Sequence, residues 1–102
     1  ILGWDILRNH VRAFVSCPDW VTARGMRILG APEKGDPRVI SGESGAVTTG
    51  LVATLMQDPD YVELRDAIGL SKESSVLCFS TEGDTDPEQY RRIVWEGEYP
   101  TC

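Results

Sequence analysis

The sequence predicts an α/β fold dominated by helices, with roughly four or five helices packed around one or two short parallel strands. Three observations predict it. Apolar residues recur at helical spacing in several separate stretches. Asp-Pro pairs and glycines stand where helices start and stop. One short run, Val76–Phe79, is continuously apolar, as a strand buried on both faces would be. With 102 residues, residues 1–102 form a single unit.

The first helix is predicted over residues 4–17. On a helical wheel Trp4, Ile6, Leu7, His10, Val11, Ala13, Phe14, Val15 and Cys17 fill a broad arc. That arc places His10 in a packed core. Gly3 punctuates the start and Pro18 follows the end. Pro18 suits the first turn of a second helix over Asp19–Leu29, with Gly30 as a left-handed stop. Its apolar residues spread most of the way round, so it should touch structure on more than one side. A polar Pro/Gly loop, Ala31–Arg38, leads to the apolar pair Val39-Ile40. The stretch Gly45–Gln57 carries no charge, and its small residues would let a helix pack closely. Asp58 as cap, Pro59 behind it and Gly69 at the end frame the next helix, Asp60–Ile68. After the Val76–Phe79 strand and the polar turn 81–85, Asp86 caps a last helix. Pro87 stands first in it and Gln89 completes a capping box. Tyr90, Ile93 and Val94 should face inward there.

Composition narrows the function. Ten Lys+Arg against 16 Asp+Glu give a net charge of −6, so nucleic acid and anionic membranes are excluded as partners. The longest uncharged run is too short and polar to span a bilayer. Cys17, Cys78 and Cys102 are far apart and lack CxxC spacing. They read as free thiols in a reducing, cytoplasmic compartment rather than as disulfide or metal ligands. The chain opens on Ile1, without a signal peptide or an initiator methionine. It is therefore expected to be a piece of something longer.

Two places could carry chemistry. Ser41-Gly42-Glu43-Ser44-Gly45 runs straight into the uncharged helix, and free backbone N–H groups at such a start can hold an anion. Glu43 opposes a phosphate there, and a tight turn needing two glycines explains the pattern equally well. Ser80-Thr81-Glu82-Gly83-Asp84 follows the predicted strand, where ligands gather in α/β sheets. The same hydroxyls and carboxylates could instead cap the turn and the next helix.

Five separated segments, LGWDILRN, GMRILG, DPRVISGESGAV, STEGDTD and YRRIVWEG, carry a resemblance from Leu2 to about Gly97. Together they resemble the C-terminal part of the large domain of fold-type II pyridoxal-phosphate enzymes, the tryptophan-synthase-β-like group, and within it the ammonia-lyases. The resemblance implies pyridoxal 5′-phosphate as cofactor and a small amino acid as substrate. The cofactor ring would act as electron sink for α-proton removal. Ammonia would leave from the β-carbon, and hydrolysis would give pyruvate and a second ammonia. It also implies cofactor-binding roles by position. The Ser80-Thr81 hydroxyls, Thr81 foremost, would meet the pyridine nitrogen. Glu43 would lie beside the ring, and Gly42 and Ser44 would shape that wall.

No catalytic residue is expected within the chain. The cofactor lysine and the phosphate cup of that group belong to segments N-terminal to Ile1, while Lys34 and Lys72 read as solvated surface. The N-terminal remainder of the same enzyme is thus an expected partner, and the isolated chain should be inactive. Homo-oligomerisation is expected as well, with the uncharged helix Gly45–Gln57 as the first apolar surface to associate. Two other readings share these residues: a different dehydratase or ammonia-lyase of the same group, and a free-standing interaction or regulatory module.

Overall fold

A computed structural model describes residues 2–100; Ile1, Thr101 and Cys102 lie outside the described residues. Five α-helices follow one another: α1 Leu2–His10, α2 Asp19–Gly30, α3 Glu43–Gln57, α4 Val62–Ile68 and α5 Pro87–Val94. A 3₁₀ turn, Pro59–Tyr61, precedes α4.

The core lies where α2 meets α3 and α5. Ala23, Met26, Ala46, Tyr90 and Ile93 form its buried centre, with Leu29 and Val94 packed against it. Helix α2 thus has partners on two sides, as its spread of apolar residues requires. The α2–α3 contact is made by backbone. A Cβ placed on Gly25 would lie 2.0 Å from the Ala46 carbonyl oxygen, and one on Gly50 would lie 1.9 Å from that of Val21. Close by, the buried Thr54 hydroxyl donates to the Gly50 carbonyl at 2.8 Å. Arg24 reaches across to Thr54 Oγ1 at 3.2 Å and to the Gln57 side chain.

The expected exposure of α3 is only partial: Leu51, Val52 and Met56 are half-buried and Thr48 is exposed. Gly45, Ala46, Gly50, Thr54 and Leu55 are buried, because small residues let two helices approach until the seam needs no polar face. More exposed apolar surface lies on residues 76–79, at Trp95, and on α1 and the segment after it. There Trp4, Ile6, Phe14 and Val15 face solvent, Phe14 at 72% exposure.

Helix α1 ends at His10 rather than Cys17, and His10 is exposed rather than packed in a core. Short helices draw most of their stability from packing an apolar face, and α1 makes no helix–helix contact among the described residues. Propensity then decides, and β-branched Val11 and Val15 and the residue before Pro18 disfavour continuation. Burial raises the Cys17 thiol above its ordinary value.

The strand expected at Val76–Phe79 does not form, and no strand occurs among the described residues. Leu77 is 79% and Phe79 71% exposed. A strand needs a neighbour for its backbone groups, and no described segment pairs with this one. Four apolar residues cannot supply that partner themselves.

The capping signals read correctly in most places. Asp58 accepts a hydrogen bond from the Asp60 amide at 2.9 Å, and Gly69 closes α4 at φ 87° in the left-handed region. Asp86 accepts from the Gln89 amide at 3.1 Å. The return half of that capping box is absent, since the Gln89 side chain takes a hydrogen bond from Arg92. Pro18 occupies the N-cap of α2 rather than its first turn. Gly30 stays within the helix, and the positive-φ glycines are Gly35, Gly69 and Gly97. Gly30 is small for another reason: a Cβ there would lie 2.7 Å from the Tyr90 hydroxyl.

Arg27 ties the C-terminal stretch to α2. Its Nε donates to the Ile93 carbonyl at 3.0 Å and its Nη1 to that of Tyr99 at 3.3 Å; the guanidinium also donates to the Glu98 carbonyl. Arg27→Met keeps the aliphatic stem but frees all three acceptors. A hydrogen bond to a charged group contributes about 1.5–3 kcal/mol. We therefore expect a loss of about 2 kcal/mol in urea denaturation, with earlier proteolysis beyond Val94. A midpoint equal to the parent's would remove Arg27 from this role.

Candidate cofactor-binding site

The two sequence motifs meet. The α3 start, residues 41–45, packs directly on the turn 80–83. The Gly42 amide donates to the Glu82 carbonyl at 3.1 Å. A Cβ on Gly45 would lie 2.5 Å from Ser41 Oγ, 2.9 Å from the Thr81 amide nitrogen and 3.1 Å from Ser80 Oγ. A Cβ on Gly42 would lie 2.6 Å from the Gly83 carbonyl oxygen. Both glycines are buried, and any side chain there would part the two turns.

One residue of this seam stood in the first sequence motif without a role of its own. Ser41 is fully buried, and its hydroxyl is 3.0 Å from Ser80 Oγ and 3.2 Å from the Gly42 carbonyl. A small polar residue wedged between the apolar Val39-Ile40 pair and a glycine turn was the available signal. Of the expected site residues, Gly42, Ser80 and Thr81 are brought together at the seam. Glu43 and Ser44 stand exposed on the first turn of α3, beside it. Lys34 and Lys72 lie in exposed loops.

The donor set discriminates between parts of a ligand. Ser44, Ser80 and Thr81 present neutral hydroxyls. Glu43, Glu82, Asp84 and Asp86 surround an adjacent cavity of about 60 Å³, and no cation lines it. Such a surface suits the uncharged edge of a heteroaromatic ring and repels a phosphate dianion. These residues therefore fit the ring of pyridoxal phosphate, whereas its phosphate needs an anchor from elsewhere. Among the described residues no group of three or more His, Cys, Asp or Glu is placed to hold a metal ion. No helix there is long and apolar enough to cross a membrane.

No family model matches the chain. Single relatives do. Diaminopropionate ammonia-lyase of Escherichia coli K12 is 52% identical over 96% of this chain and 25% of its own length. The chain matches a C-terminal segment of diaminopropionate ammonia-lyase.

The Salmonella typhimurium LT2 diaminopropionate ammonia-lyase is 45% identical over 95% of this chain and 24% of its own. Among solved structures, the E. coli enzyme in complex with an aminoacrylate–PLP azomethine reaction intermediate superposes with a TM-score of 0.91 at 50% identity. The match covers 99% of this chain and 27% of that one. The E. coli enzyme in complex with D-serine superposes with a TM-score of 0.92 at 50% identity, covering 99% and 26%. The helical architecture is thus that of the C-terminal part of these diaminopropionate ammonia-lyases, and the chain spans about a quarter of their length.

Proposed function

We propose that the chain is the C-terminal segment, a single structural unit, of a longer pyridoxal-phosphate-dependent lyase. That enzyme would eliminate ammonia from 2,3-diaminopropionate and yield pyruvate and ammonia. The observation that carries the reading is the seam itself: two hydroxyl-bearing turns packed backbone to backbone, in a chain about half identical to lyases solved with that cofactor chemistry. When bound, the cofactor supplies an electron sink for the substrate's α-carbon.

The residues of this chain form one wall. Thr81, with Ser80 beside it, faces the pyridine nitrogen. Gly42 and Ser44 line the ring's edge, and Glu43 stands alongside it. A neutral hydroxyl leaves that nitrogen unprotonated, which moderates the sink and limits side reactions. The cofactor lysine and the phosphate anchor come from the N-terminal remainder of the enzyme, as does most substrate recognition. The E. coli structure with D-serine supports a small amino acid as the ligand class. The enzyme works in the cytoplasm as a homo-oligomer, with the exposed apolar face of α1 and the 76–79 segment covered in the assembled protein.

Thr81→Val in the complete enzyme tests the wall. Removing one uncharged hydrogen bond costs about 0.5–1.5 kcal/mol. Turnover should fall by about 2- to 10-fold, with the cofactor retained and its absorption changed. Unchanged turnover together with an unchanged spectrum would remove Thr81 from the site.

A further inference from the structure

We infer that the cavity between the start of α2 and the end of α3 is a binding site for a basic α-amino acid, a ligand with one carboxylate and two amines. The cavity measures about 520 Å³ and shares no lining residue with the cavity beside the cofactor-facing turns. Trp20, Arg24, Asp58, Asp60 and Tyr61 line it. Trp20 and Arg24 stand four residues apart on α2, so they share a face. The other three come from the turn that follows α3.

Arg24 is half-buried and held in place. Its Nη1 donates to Thr54 Oγ1 at 3.2 Å and its Nη2 to Gln57 Oε1. Both acceptors are neutral. A guanidinium has five N–H donors, so three stay uncommitted. No carboxylate pairs with it: the ion pairs among the described residues are Arg8–Asp5, Arg65–Asp66 and Arg92–Glu98. Asp58 and Asp60 line the same cavity without closing on Arg24. Asp58 accepts from the Asp60 amide with one oxygen, at 2.9 Å, and keeps the other.

Separated charges of both signs select a ligand that carries both. A guanidinium binds a carboxylate bidentately, and ammonium groups suit the two aspartates. Arg24, Asp58 and Asp60 sum to −1, the complement of one carboxylate with two ammonium groups. Trp20 and Tyr61 offer apolar surface to a methylene chain and ring faces to an ammonium. An inorganic anion would be repelled by the aspartates, and a polyamine by Arg24.

The test is calorimetric titration of the complete enzyme with L-ornithine and with two molecules that each lack one of its groups. Prior borohydride reduction fixes any bound cofactor to its lysine, so the added amines cannot join it. Ornithine should bind at one equivalent per chain. Putrescine, without the carboxylate, and L-norvaline, without the side-chain amine, should each bind about tenfold more weakly or worse. Arg24→Gln should weaken ornithine by about tenfold or more and leave putrescine unweakened. Asp58→Asn combined with Asp60→Asn keeps the oxygen that accepts from the Asp60 amide. That pair should weaken ornithine more than norvaline, and it serves if Arg24→Gln does not fold.

Ornithine that does not bind, that binds no better than putrescine, or that binds equally well to Arg24→Gln and to the aspartate pair would overturn the site. The titration reads this cavity whether or not the protein takes up a cofactor. The reading of the turns at 41–45 and 80–84 therefore stands or falls separately.

Discussion

Gly50→Ala should unfold this chain at denaturant concentrations where the parent is still native, and Gly25→Ala should do the same. In an exposed helix the exchange would stabilise, since alanine is the better helix former by about 1 kcal/mol. Here the new methyl group would sit 1.9 Å from the Val21 carbonyl oxygen, or 2.0 Å from that of Ala46. Both obstacles are backbone, so no rotamer change relieves them. The helices must separate, which costs about 1–3 kcal/mol or more in overpacking and opens the buried cluster of Ala23, Met26 and Ala46. The clash outweighs the propensity gain. Gly3 in α1 has nothing within 4 Å of its Cβ position, so Gly3→Ala is the control and should be neutral or mildly stabilising. Urea titrations followed by circular dichroism separate the signs. Equal midpoints for Gly50→Ala and the parent would mean that α2 and α3 do not meet through backbone.

What the sequence made legible was local. Asp58, Gly69 and Asp86 act on neighbours within four residues, and the structure uses each as expected. The lack of charge in Gly45–Gln57 foretold close packing, because small residues are what a tight helix crossing demands. What was not legible depended on distant partners. Val76–Phe79 reads as a strand, yet strand pairing is a property of two segments, and no described segment supplies the second. The apolar arc of α1 likewise says that a face could be buried, without naming a surface to bury it. At the site, the glycine turns and the Ser80-Thr81 hydroxyls stood out as motifs, and the structure brings the two motifs together. Ser41 opened the first motif but had no role of its own there, because its contact lies 39 residues away in sequence. The same holds for Arg27, whose acceptors lie at positions 93, 98 and 99.

The second large effect is all-or-none. Alone, the 102-residue chain should release no pyruvate from 2,3-diaminopropionate at any cofactor concentration. Its lysines, Lys34 and Lys72, are exposed and lack the desolvated surroundings that make a reactive amine. The cofactor phosphate would meet Glu43, Glu82 and Asp84 rather than a cation, in a chain of net charge −6. The complete enzyme, by contrast, should turn over, with the wall at Ser80-Thr81 completed by the remainder that holds the cofactor. The decisive measurement is therefore pyruvate release from 2,3-diaminopropionate with pyridoxal phosphate, by the complete enzyme and by this chain in parallel. The account predicts steady release by the former and none by the latter. A complete enzyme that binds the cofactor yet forms no pyruvate, or an isolated chain that forms it, would contradict the account.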